Sequence, residues 1–174
     1  MGERETNGAS DRGQHLGHGL SAAGGAVLVA QFVLLFILGR DWVPALRWLG
    51  CALWVAAAVL GWLPIIILKR QGGVAPGRSY VRTSRLVTTG LYAVVRHPQY
   101  LAFYLMTFAL ALIGQHWLIV LLAVPAVLLF ALSMRGTDEY NIAKFGDEYR
   151  QYRDRVPAFN ILAGIFRLLA RRRS

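Results

Sequence analysis

The chain has 174 residues, of which 56% are hydrophobic and 16% charged, and its 19 Lys and Arg outnumber 9 Asp and Glu to give a net charge of +10. This length suits one domain, and the apolar fraction exceeds that of an ordinary soluble domain. Nucleic-acid-binding proteins are also basic, but they lack the long uncharged runs found here, so nucleic acid is not an expected partner and the cations indicate orientation in a membrane.

The first 18 residues are polar, rich in glycine and without the apolar core of a cleavable signal peptide. This composition predicts a disordered tail over 1–18. His15 and His18 stand three residues apart, but no further ligand lies nearby, and we expect no metal site in the chain.

Four apolar segments follow and predict an all-α integral membrane protein whose single domain covers 19–174. The predicted transmembrane helices cover 20–38, 48–68, 100–114 and 117–134. The third is short for a hydrocarbon core of about 30 Å. Only Gln115 and His116 separate the last two segments, which predicts a helical hairpin.

The placement of Lys and Arg predicts the orientation of these helices. Six cations lie in the middle connection, namely Lys69, Arg70, Arg78, Arg82, Arg85 and Arg96, and nine more follow residue 134. The first connection carries only Arg40 and Arg47, and the hairpin turn carries none. Since cytoplasmic connections carry the excess of Lys and Arg, both termini and the middle loop are predicted to be cytoplasmic, in a prokaryotic inner membrane.

The segment Gly90–Tyr100, GLYAVVRHPQY, forms the polar junction before the third predicted span. Arg96, His97 and Tyr100 place a cation, an imidazole and a phenol within five positions. Pro98 disfavours the α-helical conformation for the residue before it, so a helix should begin here. Polar groups at membrane depth are costly unless they line a cavity or have partners, which makes the junction a candidate site. The alternative is simple anchoring at the headgroups.

After the fourth span, apolar residues spaced by three and four mark one face of an amphipathic helix. These residues are Ile142, Phe145, Tyr149, Tyr152 and Val156. Gly146 interrupts the helix and Pro157 ends it. Residues 161–173 combine apolar residues with a terminal arginine run and predict an interfacial helix on an anionic leaflet.

A helical hairpin returns the chain to the side it left, so the polar residues before and after it should meet at the cytoplasmic interface. They are Tyr92, Arg96, His97 and Tyr100 before the hairpin, and Arg135, Thr137, Asp138 and Glu139 after it. Such a cluster beside an apolar cavity suits a zwitterionic, aromatic cofactor and a lipid-like substrate. The alternative is that Asp138 and Glu139 only cap the amphipathic helix.

Two segments, LVTTGLYAVVRHPQYLAF and DEYNIAKFGDEYRQYRDRVP, resemble the isoprenylcysteine carboxyl methyltransferase and phospholipid methyltransferase group of integral membrane enzymes. The patterns G-x-Y-x-x-x-R-H-P-x-Y and F-G-x-x-Y-x-x-Y-x-x-x-V-P match in order and spacing over 82–157. The resemblance implies methyl transfer from S-adenosylmethionine to a lipid or other hydrophobic acceptor at the cytoplasmic face.

The resemblance also implies the roles of individual residues. Arg96 and Asp138 are expected to be catalytic. The expected cofactor-binding residues are Ser84, Arg85, Leu86, Val87, Tyr92, His97, Pro98, Gln99, Tyr100 and Glu139.

The chain departs from the family pattern at two places. Thr137 and Asp138 stand where the family has a pair of glutamates, so either Asp138 or Glu139 replaces the first of them or the affinity for the cofactor is changed. Ala158 follows Pro157 where the family often has an arginine, which weakens the expectation of a carboxylate-bearing substrate. Two alternatives remain at this stage: an NADPH-dependent membrane reductase of the sterol-reductase type, and a catalytically silent membrane scaffold.

Overall fold

The computed structural model describes residues 2–159, 163 and 169, with side chains from Gly17 onward. Within this part the chain forms five α-helices and one 3-10 turn. The helices are α1 (Gly2–Leu38), α2 (Pro44–Gln71), α3 (Pro98–Gly114), α4 (Trp117–Phe145) and α5 (Asp147–Arg155), and the turn is Gly90–Ala93. The described residues contain no strand, so the predicted all-α class is confirmed.

Three helices are long and apolar enough to cross a membrane: residues Gly17–Leu38 of α1, and the whole of α2 and α4. The fourth predicted span corresponds to α3, which is apolar but has 17 residues, or about 25 Å of helix. Large apolar side chains such as Phe36, Trp62 and Leu128 are exposed on the outside of the bundle. This exterior is that of a protein embedded in lipid.

The structure differs from the sequence-based expectation at the N-terminus. α1 begins at Gly2, so residues 2–18, where the sequence predicts a disordered tail, continue the first helix. Once the apolar part of a helix has formed, each further residue adds a hydrogen bond without a new nucleus, and no proline interrupts this segment. The predicted interfacial helix over 161–173 lies outside the described residues, apart from two single helical positions.

Close helix contacts depend on glycines. A Cβ at Gly24 of α1 would lie 2.7 Å from the Phe130 ring of α4, and one at Gly50 of α2 would lie 2.9 Å from the carbonyl oxygen of Ala109 in α3. Small residues let transmembrane helices approach to backbone contact. α1 therefore packs closely on α4, and α2 on α3.

The two short connections lie together at one end of the bundle. The backbone N–H of Arg40 donates to the carbonyl of Gly114 (3.0 Å), and the Gln115 side chain bonds both backbone groups of Val43 (2.7 and 2.9 Å). The long connection between α2 and α3 and the segment after α4 lie at the other end, where the cavity described below opens.

α4 runs unbroken from Trp117 to Phe145, so Asp138 and Glu139 lie inside it. The alternative that these carboxylates cap a separate amphipathic helix is therefore wrong. Gly146 lies between α4 and α5 and has φ 58°, a backbone conformation that breaks the helix. A glycine suits this position because a residue with a side chain rarely adopts such a conformation. The residues of the predicted amphipathic face still form one buried cluster across the break, with Leu86 packed against it.

Candidate functional site

The backbone of the junction before α3 is fixed by a glycine and a proline. Gly90 has φ 60°, which glycine adopts without strain, and it opens the 3-10 turn that carries Tyr92. Pro98 occupies the first turn of α3, where its missing N–H costs nothing. His97 is the N-cap residue with a non-helical backbone (φ −122°, ψ 63°), and its side chain makes no capping bond. The imidazole is therefore available for other contacts.

Asp138 of α4 is the centre of a charged network. Its carboxylate accepts hydrogen bonds from Arg96 Nη2 (3.1 Å), from His97 Nε2 (2.7 Å) and from the Tyr149 hydroxyl. The side chains of Arg96, His97 and Asp138 are 10%, 6% and 17% exposed. Because these groups are largely shielded from water, each depends on the others for its partners.

Arg96 also fixes the segment 153–158, which we call the C-terminal strap. Its Nη1 donates to the carbonyls of Arg153 (2.8 Å) and Val156 (3.1 Å). The backbone N–H groups of Arg96 and His97 donate to the carbonyls of Pro157 (3.0 Å) and Ala158 (3.2 Å). The strap thus runs alongside the junction, joined to it by four hydrogen bonds.

Buried tyrosines complete this region. The Tyr152 hydroxyl donates to the carbonyl of Tyr92 at 2.8 Å. Burial raises the pKa of Tyr92 and Tyr152 well above the usual range, and it does so for Tyr149 too, where the Asp138 charge raises the pKa further. All three phenols therefore stay protonated at physiological pH and act as hydrogen-bond donors.

A cavity of about 320 Å³ opens beside the network, between α1, the α2–α3 connection, α3 and α4. Nine of the residues assigned to the site from sequence line it: Arg85, Leu86, Val87, Tyr92, Arg96, His97, Pro98, Gln99 and Tyr100. Both sequence motifs contribute, since Phe145 and Tyr152 also line the wall. The structure therefore brings the two motifs together at one cavity.

Three of the assigned residues do not line the cavity. Ser84 donates its hydroxyl to the carbonyl of Gly73 (2.8 Å). Asp138 lies behind His97 and Arg96, in the network. Glu139 is exposed on the outside of α4. Of the residues Thr137, Asp138 and Glu139 in α4, Thr137 lines the cavity.

The sequence analysis missed the contribution of α1, whose Gly17, His18 and Ser21 line the cavity. Ser21 belongs to a hydroxyl cluster that joins three helices. Its other members are Tyr100, Ser133 and Thr137, and Tyr100 Oη lies 2.8 Å from Ser133 Oγ and 2.9 Å from Thr137 Oγ1. The sequence does carry a signal for this cluster, because its hydroxyl residues stand isolated in otherwise apolar segments.

The lining has a distinct chemical character. Among the described residues that line the cavity there is no Asp or Glu. Aromatic rings, neutral hydrogen-bonding groups and the cations of Arg85 and Arg96 dominate instead. Such a wall can stack an aromatic ring system, bond polar substituents and hold a soft cation against aromatic faces.

Comparisons with known proteins agree with the two motifs. The profile described as phospholipid methyltransferase matches residues 45–145. Protein-S-isoprenylcysteine O-methyltransferase of Schizosaccharomyces pombe is 40% identical over 75 residues, which are 42% of this chain and 31% of the relative. Methanethiol S-methyltransferase 2 of Bradyrhizobium diazoefficiens is 33% identical over 165 residues, which are 85% of this chain and 61% of the relative. The chain thus spans less than two thirds of either relative, and no solved structure matches it.

Proposed function

The chain belongs to the phospholipid methyltransferase family, and from this premise we propose that it transfers a methyl group from S-adenosylmethionine to a hydrophobic or lipid-borne acceptor. The observation that carries the proposal is the single cavity lined by both motifs. Its volume of about 320 Å³ lies at the lower end of the range for small-molecule sites.

The residues present fit the proposed cofactor. Tyr92, Tyr100 and Tyr140 offer rings for an adenine or a sulfonium, and Arg85 offers a cation for a carboxylate. The cofactor would supply a methyl group on a positively charged sulfur. The chain's own contribution is to hold donor and acceptor in line and to exclude water, which is the main requirement of such a displacement.

Arg96 and Asp138, which the resemblance assigns to catalysis, have a different role in this proposal. Asp138 does not line the cavity, and Arg96 directs Nη1 to the strap and Nη2 to Asp138. Both therefore act as positioning residues that hold His97 against the cavity.

The hydrogen bonds of Arg96 also bear on the chemical class of the methyl acceptor. With Ala158 in place of a cation and Arg96 bonded to Asp138 and the strap, Arg85, an exposed residue of the cavity lining, is the cation more available to a carboxylate. This favours an acceptor with a neutral nucleophile, such as a hydrophobic thiol, over a carboxylate. The relative that covers 85% of the chain is named as an S-methyltransferase.

We further propose that α3 is a fourth span and that the cavity faces the cytoplasm. The hydrogen bond from Arg40 to Gly114 places the first connection beside the hairpin turn, at the end with few cations. The opposite end holds the cation-rich connection and the segment after α4. The excess of Lys and Arg assigns that end to the cytoplasm.

Cysteine labelling tests this topology. In a Cys51→Ala background, a membrane-impermeant thiol reagent applied to intact cells should label Asp41→Cys and leave Ser79→Cys unlabelled; both native positions are exposed. Cells opened before labelling provide the control, because both positions should then react. Labelling of Ser79→Cys alone in intact cells would reverse the orientation.

The activity itself is tested by calorimetry on purified protein. S-Adenosylhomocysteine should bind with micromolar-range affinity, and NADPH, the cofactor of the reductase alternative, should not bind. Transfer of a labelled methyl group from S-adenosylmethionine to a long-chain thiol then tests the acceptor class. Binding of NADPH without S-adenosylhomocysteine would favour the reductase, and binding of neither would favour a scaffold.

A substitution at Thr137 tests how the chain departs from the family pattern. Since Thr137 lines the cavity and no described lining residue is acidic, Thr137→Glu introduces a carboxylate that can bind the ammonium common to S-adenosylmethionine and S-adenosylhomocysteine. We expect tighter S-adenosylhomocysteine binding by about 1.5–3 kcal/mol, the worth of a charge-assisted hydrogen bond. Thr137→Gln is the matched control of equal size without charge. Equal effects of both variants would remove the charge from the explanation.

A further inference from the structure

The two ring nitrogens of His97 have different surroundings. Nε2 lies 2.7 Å from Asp138 Oδ1, whereas the Nε of Arg96 approaches it only to 3.4 Å. A bare nitrogen at 2.7 Å from a carboxylate oxygen would oppose two lone pairs, so Nε2 carries a proton and donates it to Asp138. The neutral imidazole then has its lone pair on Nδ1.

The other contacts of Asp138 hold this tautomer in place. Arg96 binds the second carboxylate oxygen, and the Tyr149 hydroxyl binds the oxygen that His97 uses. The carboxylate therefore cannot turn away from the ring without losing a buried partner. A carboxylate on the distal nitrogen of a histidine fixes both the ring's orientation and the position of its proton.

The second ring nitrogen of His97, Nδ1, has no hydrogen-bond partner among the described residues. Among the described residues, the fully buried polar side-chain atoms without a partner are Gln31 Oε1 and Thr107 Oγ1, so Nδ1 is not sealed in the protein. His97 is also a lining residue of the cavity, and Nδ1 is the ring nitrogen left to meet a ligand there.

We propose that His97 is the general base of the reaction, which rests on the proposed function and extends it to an acceptor with a protonated nucleophile. Nδ1 takes the proton of the acceptor's thiol, and the sulfur lone pair so released forms the bond to the methyl carbon. The carbon–sulfur bond to the donor breaks, and its electron pair stays on the donor sulfur as a neutral thioether. The imidazolium, stabilised by Asp138, afterwards gives the proton to water.

Other ionisable and charged groups surround His97. They are His18 from α1; Tyr80, Arg85, Tyr92 and Arg96 from the α2–α3 connection; Tyr100 from α3; Asp138 and Tyr140 from α4; and Tyr149 and Tyr152 from α5. His18 is exposed, and no described contact fixes its ring. His97 is thus the imidazole whose orientation is fixed.

The test is His97→Gln, whose amide N–H replaces the imidazole Nε2–H toward Asp138 but leaves no base at the Nδ1 position. Two acceptors of equal chain length are compared: an alkanethiol, protonated at neutral pH, and a thiocarboxylic acid, already ionised. We expect the variant to lose about 10²–10⁴-fold in rate with the thiol and less than about tenfold with the thioacid, because only the thiol needs a base. His116→Gln, at the opposite end of the bundle, is the matched control.

Equal losses with both acceptors, or no loss with the thiol, would overturn the role of His97. S-Adenosylhomocysteine binding to the same variant is measured separately by calorimetry and should change by less than about tenfold. A wild-type protein that binds no S-adenosylhomocysteine, or methylates neither acceptor, would instead refute the proposed function.

A spectroscopic measurement tests the proton's position without turnover. With ¹⁵N-labelled histidine in the detergent-solubilised protein, the neutral His97 ring should show a protonated Nε2 and a bare Nδ1. Asp138→Asn should reverse this pattern, because the amide can donate to Nε2 and move the proton to Nδ1, and should slow methylation of the thiol more than of the thioacid. A proton on Nδ1 in the wild-type protein would overturn the proposal.

Discussion

Replacing Asp138 with alanine is expected to lower the free energy of unfolding by about 3–5 kcal/mol, the cost of removing one partner of a buried ion pair. Arg96 is only 10% exposed and would keep a charge balanced by no carboxylate. His97 Nε2 and the Tyr149 hydroxyl would each lose the acceptor they now use. The same change removes the contact that orients His97.

The measurement is chemical unfolding in detergent, with Glu139→Ala as the matched control one residue along α4. Because Glu139 is exposed, its replacement should lower the free energy of unfolding by less than about 0.5 kcal/mol. A similar, small effect of both substitutions would mean that the network contributes little to stability and that Asp138 cannot be what holds His97.

Replacing Arg96 with methionine should cost a comparable amount, about 3–5 kcal/mol, and should also release the strap. The change removes the Arg96 donors to the carbonyls of Arg153 and Val156 and leaves the Asp138 carboxylate without its cation. Hydrogen exchange should therefore rise in the strap, residues 153–158, while amides in the centre of α4 stay protected.

Arg150→Met provides the control for this second prediction, because the pair Arg150–Asp147 is on the surface, with 55% and 83% of the side chains exposed. Such pairs contribute about 0–1 kcal/mol. The double variant Arg96→Met/Asp138→Ala should cost less than the sum of the two single changes, since neither charge remains buried alone. Additive costs together with unchanged exchange in the strap would contradict the network.

Much of this architecture could be predicted because its determinants are local. The two-residue connection at Gln115 and His116 predicts the α3–α4 hairpin, and the hairpin brings both motifs to one end, as the cavity lining confirms. The start of α3 at Pro98 follows from the restraints that proline places on itself and its neighbour. That α3 is a fourth transmembrane span, by contrast, remains a prediction.

The direction in which each residue of α4 points could not be predicted from the sequence. Successive residues on a helix point about 100° apart, so Thr137 reaches the cavity while Asp138 meets Arg96 and Glu139 faces outward. In a soluble helix an apolar stripe would set this rotation, but a membrane helix is apolar all round and carries no such stripe. The share of α1 in the site was missed for the same reason.

The strap has a consequence for biosynthesis. Its hydrogen bonds join residues 153–158 to a junction made more than fifty residues earlier, and Tyr152 forms part of the cavity wall. On the ribosome, α1 to α4 can form and pack while this last wall is still being translated. A nascent chain halted after α4 would hold the bundle with this wall still missing, so the cavity is complete only once synthesis has passed the strap.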